Sequence, residues 1–341
     1  MKKTHKTINL GLQGGGAHGA FTWGVLDYLL EDGRLDIEGL SSTSAGTMNA
    51  AILAQGLLNN DRDEARQALY NFWEEISKVN SLMSFKHWFG DSWFSLDQFS
   101  LDHSPFYFWF EIITHLMSPY QFNPFNLNPM RTILEKSIDF EALRKRSTVK
   151  LFVCATNVET GKVRIFTNPE ITVDTLLASG CLPFLFQSVK IKDQYYWDGG
   201  YIGNPAIYPL IYNCTCQDVV IVHINPIIRS GPLYHVGEIL NRVNEVSFNS
   251  SLMREMRAIA FVTDLIDSKQ TEGLDLKRMH MHSIRADDEM TKHDVSTKLN
   301  ADWDFLVYLR DRGRLIAKKW FHDNFSKIGK ESSVDIRKEF L

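Results

Sequence analysis

Ser44 lies in Ser42-Thr43-Ser44-Ala45-Gly46, a run of small residues between a strand-like stretch and an Ala-rich one. A serine held on a tight strand-to-helix turn projects its hydroxyl beyond the sheet, where the first helical N–H groups and the helix dipole favour negative charge. Nucleophilic attack is the chemistry open to such a serine. The usual spacing is G-x-S-x-G; Gly46 supplies the second glycine, and Ser42 stands at the first position. The plainer reading of Ser44 is a helix N-cap. Gly14-Gly15-Gly16-Ala17-His18-Gly19 is the second candidate. Without side chains, its successive N–H groups can face one anion at a helix start, as an oxyanion hole requires. The run also fits the dinucleotide fingerprint through Gly14, Gly16 and Gly19. That rival calls for an acidic residue at the end of the second strand. Asp36 and Glu38 come too early, and the strand ends in Ser42, Thr43 and Ser44, a spacing better suited to a catalytic serine. No Lys-Ser/Thr pair follows the glycines, which excludes a P-loop. The third candidate is Asp198-Gly199-Gly200, a carboxylate at a strand end before two residues that let the backbone turn sharply. D-G-G alone is usually just a turn; its weight comes from a glycine loop and an elbow serine in the same chain. Ser44, Asp198 and His223 also fall in the order of an α/β-hydrolase triad. His223 sits in the apolar run VVIVHI, which favours a hydrogen-bonded core histidine instead.

The elements needed to position these groups are legible nearby. Residues 7–12 form a strand entering the glycines, and Phe21, Val25 and Leu29 continue at helical spacing to a stop at Gly33. IEGLSST is a second strand ending at Ser44, and Met48, Ala51, Ile52 and Gln55 mark the helix behind it. Residues 61–80 read as helix. Residues 148–167 read as two strands joined around Glu159 to Gly161, ITVDTLLAS as a short helix, and VKIKDQYYWDGG as a hairpin ending at Asp198. DVVIVHI at 218–224 is a buried strand. Beyond Pro232 the strand signal fades, while Leu252, Met256, Ile259 and Ala260, then Phe305, Leu309, Ile316 and Trp320, mark amphipathic helices. The pattern predicts an α/β fold with a central, mostly parallel sheet between helices in three layers, and active groups at the carboxyl ends of strands. Residues 1–230 are expected to form the catalytic domain, and 231–341 a helical region packed on it.

GGGAHG, STSAG and DGG, in that order, resemble the patatin-like phospholipase family, and NPFNLNP, VCATNVETG and ASGCLPFLF resemble its bacterial members. The resemblance runs from about residue 8 to 225. It implies a Ser-Asp dyad of Ser44 and Asp198 without histidine, with Gly14, Gly15 and Gly16 as oxyanion hole and no metal. It also implies hydrolysis of acyl esters of phospholipids or neutral lipids. Two positions depart from the family pattern: Ser42 replaces the elbow's first glycine, and His18 stands where an arginine is common. Acyl transfer by the same dyad, a dinucleotide-dependent oxidoreductase and an inactive lipid-binding protein are the alternative functions.

With 37 Lys and Arg against 41 Asp and Glu, the net charge of −4 offers no general attraction to nucleic acid or an anionic membrane. Membrane contact must therefore be local and apolar. Residues 81–130 hold 14 of the chain's 41 aromatic residues, including Phe106, Tyr107, Phe108, Trp109 and Phe110. This insert, expected to be helical, is either an acyl-binding or membrane-docking surface or a helical piece of the core. Four cysteines are too few for a disulfide framework, and Cys214 and Cys216 lack a second cluster to complete a zinc site. No cofactor or metal is expected. The N-terminus reads as strand one, not a signal peptide, and no run reaches the ~18 apolar residues of a membrane span. A cytoplasmic protein with transient contact to a lipid surface is the expectation, with export lacking a cleaved signal left open.

Overall fold

The computed structural model describes residues 5–83, 116–234, 236–268 and 276–341. Strand β1 (Lys6–Leu12) enters the glycine loop, and α1 (Gly19–Asp32) follows it. Gly33 ends α1 in the left-handed conformation, with φ 75°. Then come β2 (Leu35–Ser42), α2 (Ala45–Gly56) and α3 (Arg62–Met83). After α4 (Pro129–Ser137) the chain forms β3 (Lys150–Asn157), β4 (Val163–Thr167), α5 (Val173–Ser179), β5 (Val189–Ile191), β6 (Gln194–Asp198) and β7 (Asp218–Val222). The last large elements are α6 (Val236–Asp267), β8 (His280–Ile284) and α7 (Trp303–Asn324).

The sheet runs β5-β6-β3-β2-β1-β7-β8, with β4 also paired to β3. Pairs β1·β2, β1·β7, β2·β3 and β7·β8 are parallel; β3·β4, β3·β6 and β5·β6 are antiparallel. Alternation along β7 shows the three layers. Val220 and Val222 join a core with Phe21, Leu26, Phe305 and Leu309, whereas Val219 and Ile221 join another with Leu252, Met256 and Ile259. Helices α1 and α7 lie against each other through Gly24 and Gly313, where any Cβ would strike the backbone of Arg310 or Phe21.

Strand β8 is absent from the sequence reading. Its segment HMHSI has little β-branched character. It is a strand because its backbone completes the β7 edge and His282 Nε2 lies 2.9 Å from the buried Asp218 Oδ1. Among the described residues after Pro232, helices are joined by one strand, β8, which is built into the central sheet. The cluster Phe106 to Phe110 lies outside the described residues.

Register sets the level of the site. Leu12 pairs with both Ser42 and Val222, so the chain leaves β1, β2 and β7 at one edge. Ser42 is level with Val153 of β3, and Asp198 is level with Ala155, two residues further on. Antiparallel β6 thus delivers Asp198 to the height of Ser44.

Candidate active site

Ser44 occupies the N-cap position of α2, but its side chain makes no capping bond, and its backbone has φ 52° and ψ −123°. A non-glycine residue there costs on the order of 1–3 kcal/mol, a strain that recurs at functional turns. The turn is held by its neighbours. Ser44 N–H donates to Ser179 Oγ at 3.0 Å, Thr43 Oγ1 to the Gly203 carbonyl at 2.7 Å, and Gly46 N–H to the Thr43 carbonyl at 2.9 Å. At Gly46 a Cβ would strike the Leu12 carbonyl, so that glycine is needed. Ser42 is not at a positive φ; it is fully buried, and its Oγ accepts a 3.2 Å bond from Thr47 Oγ1. The elbow's tight point is Ser44 itself, so a serine two residues earlier fits.

The glycine loop lies directly on this elbow. A Cβ on Gly14 would sit 2.6 Å from Ser44 Cβ and 2.9 Å from the Thr43 carbonyl oxygen. Gly14 N–H donates to Asn204 Oδ1 at 2.7 Å. Gly15 and Gly16 are more open, and their N–H groups have no acceptor among the described residues. Buried amides hold the loop: Asn225 Nδ2 donates to the Gly14 carbonyl at 2.9 Å, and Gln13 Nε2 to Asn249 Oδ1 at 3.0 Å. Gln13 Oε1 accepts from the N–H groups of Ile224 and Asn225, each at 2.9 Å.

Asp198 is fully buried. Its Oδ1 accepts from Gly200 N–H at 2.6 Å, and its backbone is pinned by Asp198 N–H to the Cys181 carbonyl at 2.8 Å. Oδ2 has no hydrogen-bond partner among the described residues, and the Ser44 hydroxyl is close enough to favour the ionised form. Burial outweighs both that and the Gly200 bond, raising the pKa to about 6. Gly199 is required because a Cβ there would strike the Cys154 carbonyl. The structure thus brings Ser44, Asp198 and the glycine loop together.

The family model for patatin-like phospholipases matches residues 10–211. The chain belongs to this family. It is similar to VipD from Legionella pneumophila at 17% identity and TM-score 0.37, over 91% of this chain and 67% of that one. It is also similar to ExoU from Pseudomonas aeruginosa, solved as the heterodimeric ExoU-SpcU complex of the type III secretion system, at 17% identity and TM-score 0.40. That likeness covers 95% of this chain and 53% of ExoU, so the patatin-like chain spans about half of ExoU's length. Among curated proteins none matches it.

In this patatin-like chain His223 stands apart from Asp198. His223 follows β7, and β1, β2 and β3 separate β7 from the strand carrying Asp198, roughly 19 Å at ~4.8 Å per strand. The ring is buried and packs near Phe340, and contrary to the expected hydrogen-bonded core histidine neither nitrogen has a partner among the described residues. Burial, helped by Arg285, lowers its pKa to about 3. His18 is also buried, with Nε2 2.7 Å from Thr297 Oγ1 and its ring edge-on to Phe305. Burial, then Lys298, holds its pKa well below the usual range, so it is a neutral packing residue. An open cleft of about 450 Å³ lined by Trp23, Asp27, Arg66 and Arg314 is unrelated to Ser44, and its charges are already paired, Arg66 Nε lying 2.8 Å from Asp27. Among the described residues no group of three or more His, Cys, Asp or Glu could hold a metal ion, and no helix is long and apolar enough to cross a membrane. Sequence reasoning missed Ser179, Asn204, Asn225 and Asn249. The only local signal is that Asn204 and Asn225 each precede a proline.

Proposed function

We propose that this chain is a serine lipid-acyl hydrolase in which Ser44 is the nucleophile and Asp198 its general base. Family membership supports a lipid hydrolase. The observation that carries the finer reading is the buried Oδ2 of Asp198, partnerless beside a serine on a strained elbow. Asp198 Oδ2 accepts the Ser44 proton as Oγ bonds to the ester carbonyl carbon. The resulting oxyanion is received by the N–H groups of Gly15 and Gly16. The carbonyl–alkoxide bond then breaks, and Asp198 returns its proton to the departing alkoxide, leaving acyl-Ser44. Water attacks the acyl group, its proton passes through Asp198 to Ser44, and the fatty acid leaves. The test is a serine-reactive fluorophosphonate: it should label the native chain at one residue and not label Ser44→Ala, and labelling elsewhere would defeat the assignment.

The base must be ionised to work. With the Asp198 pKa raised to about 6, turnover of a soluble ester should rise with pH through about 6 and level off above 7. The stability contribution runs the other way. Between the ordinary carboxylate pKa and about 6 the folded state binds more protons than the unfolded one, so this group's contribution falls as pH rises. A kcat profile already flat from pH 5 would remove Asp198 as the base.

Transient contact with a lipid surface belongs to the same proposal. Leu116, Tyr120, Phe125, Leu127 and Phe184 are exposed. Tyr120 OH lies 2.8 Å from Ser188 Oγ, and Gln187 Nε2 donates to the Asn123 carbonyl at 2.8 Å, joining the two stretches. The second leads back to Cys181, bonded to Asp198, and to Gly180 beside Ser44. Burying two phenyl rings contributes a few kcal/mol at ~25 cal/mol per Å². Changing Phe125 and Phe184 together to Ser should lower kcat/KM on vesicles about tenfold and leave a short soluble ester within about twofold. Equal losses on both substrates would assign these rings to folding instead.

A further inference from the structure

The described residues place one ammonium group between the two loops of the site, and it comes from outside the family-matched segment. Lys298 belongs to the short 3-10 turn Val295–Leu299 and packs on the glycine loop, its carbonyl and Cβ leaving no room for a side chain at Gly16. Its Nζ donates to Asn225 Oδ1 at 2.9 Å, and Asn225 in turn holds the Gly14 carbonyl. On its other side Nζ lies 5.8 Å from the centroid of Phe248, whose ring packs against Gly200 beside Asp198. The ammonium is thus bracketed by the glycine loop and the Asp198-Gly199-Gly200 turn. Among the described residues no carboxylate is ion-paired with it. Glu245 is the carboxylate whose field reaches it, and that group is already held by Arg229 at 2.6 Å and Arg242 at 3.2 Å.

Lys298 is half-buried, and with one hydrogen bond made among the described residues its ammonium keeps two donors for an anion. Burial lowers its pKa to about 8, a shift that a bound anion would reverse. Two anions could come near. The oxyanion is short-lived and already served by two backbone N–H groups, whereas a phosphodiester is charged throughout binding and reaction. The geometry points to Lys298 as the group that receives the phosphate of a glycerophospholipid, selecting phosphate-bearing over neutral acylglycerols. This rests on the Ser44-Asp198 reading, since the lysine is placed relative to that site. Asn225 orients Nζ, and Phe248 shields it from water on the side facing Gly200.

The test compares the native chain with Lys298→Met and Lys298→Arg on phosphatidylcholine and on diacylglycerol in the same mixed micelles. A charged hydrogen bond is worth ~1.5–3 kcal/mol, so Lys298→Met should lower the phosphatidylcholine-to-diacylglycerol ratio of kcat/KM about tenfold or more. The arginine variant should restore most of that ratio, which a merely structural lysine would not require. An unchanged ratio, or equal loss on both lipids, overturns the assignment. Inorganic phosphate separates the lipid from the free ion: at millimolar concentration it should change KM for phosphatidylcholine less than about twofold, and strong competition by the free ion overturns the lipid assignment. If the native chain hydrolyses diacylglycerol but not phosphatidylcholine, the lysine proposal fails while the hydrolase reading stands. If it cleaves neither lipid and Ser44 takes no fluorophosphonate, both fail.

Discussion

Ser44→Ala and Asp198→Asn should each lower kcat on a soluble ester by about 10⁴-fold or more, and the double variant should lose little beyond either single one. The expectation follows from the arrangement. In the proposed mechanism the hydroxyl gives its proton to Asp198 Oδ2, a buried oxygen with no hydrogen-bond partner among the described residues, and Ser44 makes no capping bond that alanine would remove. Asparagine can still accept from Gly200 N–H through its Oδ1 but cannot take up a proton. It should also spare the fold the burden of a buried carboxylate, so Asp198→Asn should melt no lower than the native chain at neutral pH. Inactivity in that variant would then belong to chemistry rather than unfolding. His223→Ala is the control, expected to stay within about threefold where it folds, because three strands separate β7 from the strand that carries Asp198. Activity in Ser44→Ala above a hundredth of native would end the assignment.

What the sequence shows and hides here follows from how each feature is encoded. A glycine reports a backbone that must come close to something, and Gly14, Gly46 and Gly199 each have backbone or Cβ atoms where a side chain would go. Such positions are visible as residue types, and so is β7, whose apolar run is buried at every position, while β1 and β2 are buried along their second halves, which lead into the site. Pairings across long stretches of chain leave no such trace. Gln13 meets Asn249, Gly14 meets Asn204, and His282 meets Asp218, separations of 236, 190 and 64 residues, and in the sequence nothing links one partner to the other. The same holds for β8, whose strand character comes from the edge it completes. It holds also for Lys298, one lysine in a polar stretch until the fold sets it beside Gly16. The separation of Gly14 from Gly15 and Gly16 is hidden for a related reason: three identical residues differ only in which acceptor reaches them.

Gly14→Ala carries the second large expected effect, about 100-fold in kcat with the chain still folded. The added methyl would lie 2.6 Å from Ser44 Cβ and 2.9 Å from the Thr43 oxygen, closer than real Cβ atoms come to either. Something must shift, and both choices damage the site. If the elbow moves, the Ser44 hydroxyl leaves the line to Asp198 Oδ2. If the loop moves, Gly14 N–H pulls away from Asn204 Oδ1, and the neighbouring N–H groups of Gly15 and Gly16 leave the position proposed for receiving the oxyanion. A misplaced reacting group costs on the order of 10² in rate, and a lost oxyanion donor 10²–10³. Overpacking of this size costs ~1–3 kcal/mol of stability, which a core of two apolar layers around an eight-stranded sheet should survive. The pH profile separates the two routes. A displaced elbow frees Asp198 from the neighbouring hydroxyl that favours its ionised form, so the midpoint should move above about 6, whereas a displaced loop leaves the midpoint alone and lowers only the plateau. Native-like turnover in Gly14→Ala would mean that neither the elbow nor the loop holds the position on which the dyad depends.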